Sequence, residues 1–366
     1  MRRYSSDRIC FFLSASLLTY IAWRVLYPSG YNATDEDDAT ERLAYLKASN
    51  NSKPLIENLQ LCSSNKIDLI ILIISTSGNF LERQAIRETW GSMTDMFTVR
   101  SQHLFVIGYH PYGKFYKDLI KEGEHEKDLL YVPKKEQEYT FKEIYAYQWL
   151  TQHCPNVTYI FKTEDDLFVN VLLLHEIIRE LKTDPDDVYN RYLYNSQIDS
   201  LFLARSANNG KQFLFGLAYQ AGKPERNLTH SPYFVSREEY APDLYPGYCS
   251  GFGYLMTSAT KSALLAEAVK DQQPLRFADI FITGIIPQRL NFFCQLIPFG
   301  FYQGSVDTCA GLIKNTTMLN PPPGIAPLLT CSTGRHVGQH AFADYYRLWT
   351  ELKLMYAGRI NPVKEQ

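Results

Sequence analysis

Several familiar signals are missing from this 366-residue chain, and each absence removes a class of function. It has no Cys-x-x-Cys pair and no cysteine–histidine pattern with zinc spacing, so nothing points to a zinc module. It has no excess of either charge: 37 Lys and Arg stand against 39 Asp and Glu, for a net charge of −2. No basic stripe runs through it, and nucleic acid is not an expected partner. No internal repeat is visible, which removes solenoids and propellers. The apolar segment near the amino end lacks a small-x-small cleavage site; bulky Trp23, Leu26 and Tyr27 stand there instead.

That segment, Ile9–Trp23 continuing to Tyr27, is slightly short for an ideal span of roughly 20 residues. Arg24 near its end can snorkel to the headgroups. Arg2, Arg3 and Arg8 precede it, so the positive-inside rule keeps the amino end cytosolic. The expected organisation is a cytosolic tail (1–8), an uncleaved signal anchor (9–27), a luminal stem (28–65) and one luminal domain (66–366). The stem carries the acidic run Asp35, Glu36, Asp37, Asp38 and Glu41 and lacks sustained apolar periodicity, although Leu43–Ala48 reads as a short helix. Five N-x-S/T sequons, at Asn32, Asn50, Asn156, Asn227 and Asn315, all lie beyond the apolar segment. Of seven cysteines Cys10 lies in that segment. Six remain for as many as three disulfides, whose pairing the sequence leaves open.

Within the large domain, IDLIILIIS (Ile67–Ser75) is a continuous β-branched run, the mark of a strand buried on both faces. A helix is expected over Phe80–Trp90, a strand over His103–Gly108, a helix over Phe141–Thr151 and a strand over Tyr159–Thr163. Alternation of this kind predicts an α/β fold with a mostly parallel sheet flanked by helices. A helix at Val171–Lys182 capped by Asn170 and another at Ala259–Lys270 follow. Lys211–Ala221 and Tyr233–Tyr240 read as strands or loops. The last hundred residues read as loop-rich, with Pro321–Pro323 a rigid turn.

Four stretches and a histidine pair carry candidate chemistry. YIFKTEDDLFVN (Tyr159–Asn170) ends a buried strand on Glu164, Asp165 and Asp166, hard oxygen ligands at the edge where open α/β sheets bind ligands. Carboxylates there suit Mg²⁺ or Mn²⁺ shared with substrate phosphates; an acidic turn before a helix is the plainer reading. ERQAIRETWG places Arg83 and Arg87 on one helical face, able to clamp a diphosphate or to pair with Glu82 and Glu88. YPGYCSGFGY (Tyr245–Tyr254) sets Gly247, Gly251 and Gly253 among Tyr245, Tyr248, Phe252 and Tyr254. Such a stretch lets backbone approach a sugar, or is simply a tight loop at a sheet end. Asp279, alone among Phe277, Ile280, Phe281 and Ile282, is a candidate general base or the N-cap of a helix starting at Ile280. His336 and His340 could supply one imidazole to a metal.

These pieces, in this order, resemble the β-1,3-galactosyltransferase family of type II Golgi enzymes. ERQAIRETWG is similar to the family's R-x-A-I-R-x-T-W-G, and KTEDDLFVN to its K-T-D-x-D-x-F-V-N. The stretch SREEYAPDLYPGYCSGFGYLMT resembles its Y-P-x-Y-C-S-G-x-G-Y motif, and ADIFITG its E-D-V-(F/Y)-x-x-G. The resemblance implies a glycosyltransferase A-type, Rossmann-like fold, a UDP-sugar donor such as UDP-galactose, Mn²⁺, and inversion at the anomeric carbon. The product would be a β-1,3 linkage to a glycan acceptor on a glycoprotein or glycolipid, made at the Golgi membrane. It implies Asp166 and His340 (or His336) as metal ligands and Asp279 as base. Arg83, Arg87, Glu164, Asp165, Tyr248, Gly251 and Gly253 would lie around the donor. Two departures stand out: Glu164 replaces an Asp, and Ala278 replaces the acid that precedes the base. The alternatives are a β-1,3-N-acetylglucosaminyl- or N-acetylgalactosaminyltransferase, or a membrane-anchored sugar-binding relative with little turnover.

Overall fold

The computed structural model describes residues 54–63, 67–110, 115–183, 212–227, 230–296, 300–315, 327–333 and 342–360. The expected anchor at 9–27, the stem helix, the Pro321–Pro323 turn and both candidate histidines lie outside the described residues. No described helix is long and apolar enough to cross a membrane.

The chain opens with β1 (Leu69–Ser75), α1 (Phe80–Glu88), the short β2 (Asp95–Met96) and β3 (Val99–Tyr109). Next come α2 (Tyr116–Glu126), β4 (Leu129–Lys135), α3 (Tyr139–His153), β5 (Tyr159–Glu164), β6 (Phe168–Val169) and α4 (Val171–Thr183). Then follow β7 (Leu214–Tyr219), β8 (Tyr248–Thr257), α5 (Ser258–Ala268) and the short α6 (Ala278–Ile280). A π turn at Phe281–Ile285 leads into α7 (Ile286–Arg289). The described chain closes with β9 (Gln295–Leu296), β10 (Gly300–Gln303), α8 (Val306–Asn315), β11 (Leu328–Ser332) and α9 (Phe342–Ile360).

β1 is buried at all seven positions. Successive side chains of a strand point to opposite faces. Accordingly Leu69, Ile71 and Ile73 pack with α1, α4 and α9, while Ile70, Leu72 and Ile74 pack with α3 and α5. Burying a Leu or Ile contributes about 1.5–3 kcal/mol, so these two layers fix the sheet between its helices. The sheet has eight strands in the order β2-β3-β1-β5-β8-β7-β9, with β4 also on β3. From β4 to β5 the pairing is parallel, as the alternation of elements requires. Beyond β5 the directions change, although β9 is again parallel to β7. β8 runs antiparallel to β5 and to β7, so the sheet is mixed rather than mostly parallel throughout.

Asn170 caps α4 as expected, its Oδ1 accepting from the Leu173 N–H at 3.1 Å. Tyr233–Tyr240 forms turns rather than a strand. The last hundred residues hold more regular structure than their composition indicates: a three-stranded sheet β10-β11-β6, the helix α8 and the 19-residue α9. The six cysteines pair as Cys62–Cys154, Cys249–Cys294 and Cys309–Cys331.

Candidate active site

The carboxyl ends of β1 and β5 lie side by side, with Ile74 opposite Glu164. The three acids that follow have three different environments. Asp165 is buried and ties the strand ends together: its Oδ2 accepts from Ser75 Oγ at 2.6 Å and from Asn79 Nδ2 at 3.0 Å. Its carbonyl accepts from the Tyr345 hydroxyl of α9 at 2.7 Å. Burial pushes its carboxyl up to about 6, against the pull of the Ser75 and Asn79 hydrogen bonds. Glu164 Oε1 meets the buried ammonium of Lys162 at 3.1 Å. Asp166 sits in the turn with open surface.

Arg83 and Arg87 share a helical face, but their partners are neither Glu82 nor Glu88. Arg83 is fully buried and uses all five N–H donors inside the protein. Two reach Glu122 of α2, at 2.8 and 2.7 Å. The others reach Ser75 Oγ (3.0 Å), the Thr76 carbonyl (2.6 Å) and the Ser77 carbonyl (3.4 Å). Arg87 makes a two-pronged contact to Asp128, at 2.6 and 2.8 Å, and reaches Glu122 at 2.8 Å. Burial opposes ionisation of Asp128, yet the hydrogen bonds from His103 and Arg87 hold it well below the usual carboxylate range. Glu88 instead accepts from Gln84 and Tyr346. The pair therefore shapes the loop after β1 from beneath.

The glycine-rich stretch is not a loop at a sheet end: from Tyr248 it forms β8, beside β5. A Cβ on Gly251 would stand 2.8 Å from Glu164 Oε1, so the glycine leaves room for the Glu164–Lys162 pair. Gly253 has φ +140°, and a Cβ there would meet the Phe161 ring at 2.7 Å. Its role is in packing β8 on β5.

Asp279 is not an N-cap. The helix begins one residue before it, with Phe277 as cap, and the Asp279 carboxylate accepts from the Ile280 N–H at 2.9 Å. Thr283 of the π turn clamps this segment to β8: its single hydroxyl proton has the Cys249 and Asp279 carbonyls within reach, and its oxygen accepts from the Cys249 N–H at 2.8 Å. π turns of this kind are frequent at functional sites. Burial raises the Asp279 carboxyl and the Lys162 ammonium lowers it, with Glu164 and Glu143 adding repulsion. Asp279 therefore lies within electrostatic reach of the Glu164–Lys162 pair at the end of β5. Tyr248 is near Asp279 as well: burial, then the charge of Asp279, push its phenol up to about 12.

Three further polar residues of this site stand outside the candidates named from the sequence, although Lys162 opens the motif KTEDDLFVN. Lys162 is buried, set over the Tyr254 ring at 5.6 Å. Burial opposes its charge, but Glu164, Glu143 and Asp279 outweigh that and raise its pKa. Glu143, on α3, accepts from the Tyr147 hydroxyl at 2.6 Å and from Tyr254. Its neighbour Lys142 is buried with Nζ 3.4 Å from the Ser75 carbonyl; burial lowers it to about 8, against the acids around it. The usable clue was that Lys142 and Glu143 share the helix face of Ala146, Tyr147, Trp149 and Leu150, all buried.

Among the described residues no group of three acids, cysteines or histidines could hold a metal ion by itself. What the crevice offers is one open carboxylate, Asp166, with Glu164 beside it. That set fits Mg²⁺ or Mn²⁺, which keep several positions for water and substrate phosphates.

A profile of the family described as Galactosyltransferase matches residues 81–293, a range holding Arg83, Glu164–Asp166, Gly251 and Asp279. The chain is 27% identical over 308 residues to human beta-1,3-galactosyltransferase 4, covering 76% of this chain and 77% of that protein. It is 28% identical over 250 residues to pig UDP-GalNAc:beta-1,3-N-acetylgalactosaminyltransferase 1, covering 63% of this chain and 66% of that one.

Proposed function

This chain belongs to the galactosyltransferase family, and from that premise we propose that it is an inverting hexosyltransferase. In this reading it moves galactose from UDP-galactose to the 3-hydroxyl of an acceptor sugar. What supports the reading is the nearness of Asp279, before the π turn, to the carboxyl end of β5, which leads into Asp166. Lys162 joins them through Glu164 at 3.1 Å.

The residues divide the reaction between them. The loop after β1, held by Arg83, and the β5 end form the wall against which a nucleotide diphosphate lies. A divalent cation bound at Asp166 would neutralise charge developing on the departing diphosphate. Asp279 takes the proton of the attacking hydroxyl as that oxygen approaches the anomeric carbon from the face opposite the diphosphate. The Lys162 ammonium favours the ionised form of this carboxylate, against the burial that raises it. Ala278 stands where the resemblance expects an acid, and Glu143, from another element, faces the Asp279–Lys162 pair. Export and anchoring through 9–27 to the Golgi lumen are part of the proposal. The three disulfides suit an oxidising compartment, and the sequon residues Asn156 and Asn227 are exposed.

The similarity to an N-acetylgalactosaminyltransferase keeps UDP-N-acetylgalactosamine as a second donor. The test is radiolabel from UDP-galactose appearing, with Mn²⁺, in a β-N-acetylhexosaminide, with UDP-N-acetylgalactosamine and UDP-N-acetylglucosamine in parallel. Linkage analysis of the product follows. Donor binding without transfer from any of the three contradicts the proposal and leaves a sugar-binding protein.

A further inference from the structure

One buried charge beside this site has no part in the reaction as described. Glu143 of α3 is fully buried, and its carboxylate is only half satisfied. Oε1 accepts from the Tyr147 hydroxyl at 2.6 Å and from the Tyr254 hydroxyl. Oε2 is buried without a hydrogen-bond partner. Leaving a buried carboxylate oxygen unpaired is unfavourable, and such an atom needs a reason to be there.

The fold brings Glu143 to the segment that carries Asp279. Three residues earlier on the same helix face, the Thr140 hydroxyl donates to the Leu275 carbonyl at 2.6 Å. α6, which holds Asp279, packs on α3. Position 278 is alanine, so that segment brings no second acid of its own. Tyr254 extends the contact to β5. It lies opposite Lys162 in the β5–β8 register, and the Lys162 ammonium stands 5.6 Å from the centre of its ring. A phenol that donates to a carboxylate has an electron-richer ring, and that is the face that attracts a cation.

The Lys162 ammonium has three N–H donors, yet it pairs with one carboxylate, Glu164 at 3.1 Å. Asp279 accepts from the Ile280 N–H and makes no ion pair among the described residues, although its charge and that of Glu143 both act on Lys162. A carboxylate closed onto an ammonium is a poor proton acceptor, because the proton must break the pair. We infer that Glu143 is a positioning residue: through Tyr254 it shares Lys162 with Glu164 and keeps that ammonium from closing on Asp279, whose carboxylate stays free to take a proton. Its charge also repels Asp279, which works in the same direction. This rests on the transferase reading of Asp279 and adds to it the group that keeps the base unpaired.

The test is Glu143→Gln in the full-length protein. Gln keeps the shape and can still accept from both tyrosines, so the charge alone is lost. The expected result is kcat lower by about tenfold, with donor KM, UDP affinity and the melting curve near wild type. In the Asp279→Asn background the same change should cost less than about twofold, since no base is left to free. A crystal structure of Glu143→Gln should show Lys162 moved from Glu164 onto Asp279, a readout that needs no turnover. Where this variant fails to fold, Tyr254→Phe makes the same test, because it keeps the ring and removes the hydroxyl bonded to Glu143. Wild-type kcat in Glu143→Gln, an equal loss in both backgrounds, or Lys162 still paired with Glu164 in the variant overturns the inference. A wild type that transfers sugar from no donor contradicts the transferase reading, and the position of Lys162 in the variant still decides the inference.

Discussion

Replacing Arg83 by methionine separates two uses of a buried arginine. If Arg83 serves the protein, the change strands Glu122 and the Ser75, Thr76 and Ser77 oxygens, which together accept all five of its N–H donors. Breaking a buried charge pair by removing one partner costs about 3–5 kcal/mol. Here Arg87 still reaches Glu122 at 2.8 Å, so the lower end applies. About 3 kcal/mol lowers the melting temperature by roughly 6–12 °C in a domain of this size. The methionine stem keeps the packing, which confines the loss to the hydrogen bonds. Melting curves of the purified protein give the stability, and titration calorimetry gives UDP affinity. The expected result is a large melting shift, with UDP binding weakened because the loop after β1 loses its support. A variant that melts within about 1 kcal/mol of wild type but no longer binds UDP would refute this reasoning and make Arg83 a ligand-contacting residue.

Asp166→Asn removes an open carboxylate and should abolish transfer and weaken Mn²⁺-dependent UDP binding, with an unchanged melting curve. Full activity in that variant would contradict the metal assignment. His175 of α4 is buried, bonded to Ser101 Oγ at 2.8 Å, and burial lowers its pKa to about 4. The folded state therefore holds it neutral. Its contribution is complete above the unfolded value of about 6.5 and is lost as pH falls toward 4, by roughly 3 kcal/mol. Melting midpoints between pH 7.5 and 4.5 should fall, and His175→Gln should flatten that fall. Gly253→Ala combines a backbone with φ +140° and a Cβ 2.7 Å from the Phe161 ring, so urea unfolding should show a loss of roughly 2–5 kcal/mol.

The legible parts of the chain were those whose causes are local. β1 announces itself because a strand buried on both faces is apolar throughout, and β5 by the apolar run Tyr159–Phe161 that opens it. Asp279 could be picked out because a lone acid among Phe277, Ile280 and Phe281 needs a reason to be there. What was hidden depends on partners far along the chain. Arg83 and Arg87 find Glu122 and Asp128, 35 to 41 positions away, rather than the acids of their own helix. β8 was obscured by its glycines, which tertiary packing demands: Gly251 clears space for Glu164, and Gly253 clears the Phe161 ring. The antiparallel turn of the sheet after β5 follows from that same strand. Lys142 and Glu143 were overlooked because charged residues on a helix are usually solvated, whereas these two are buried.

The account turns on Asp279 as the group that accepts the acceptor's proton. Asp279→Asn keeps the side-chain shape and can still accept from the Ile280 N–H, now 2.9 Å from the carboxylate. The decisive measurement is initial rate at saturating donor and acceptor for this variant, with UDP affinity and melting recorded on the same protein. The account predicts kcat lower by about 10²–10⁴ with UDP affinity and melting near wild type. Turnover near wild type would contradict it and leave the reaction without a base.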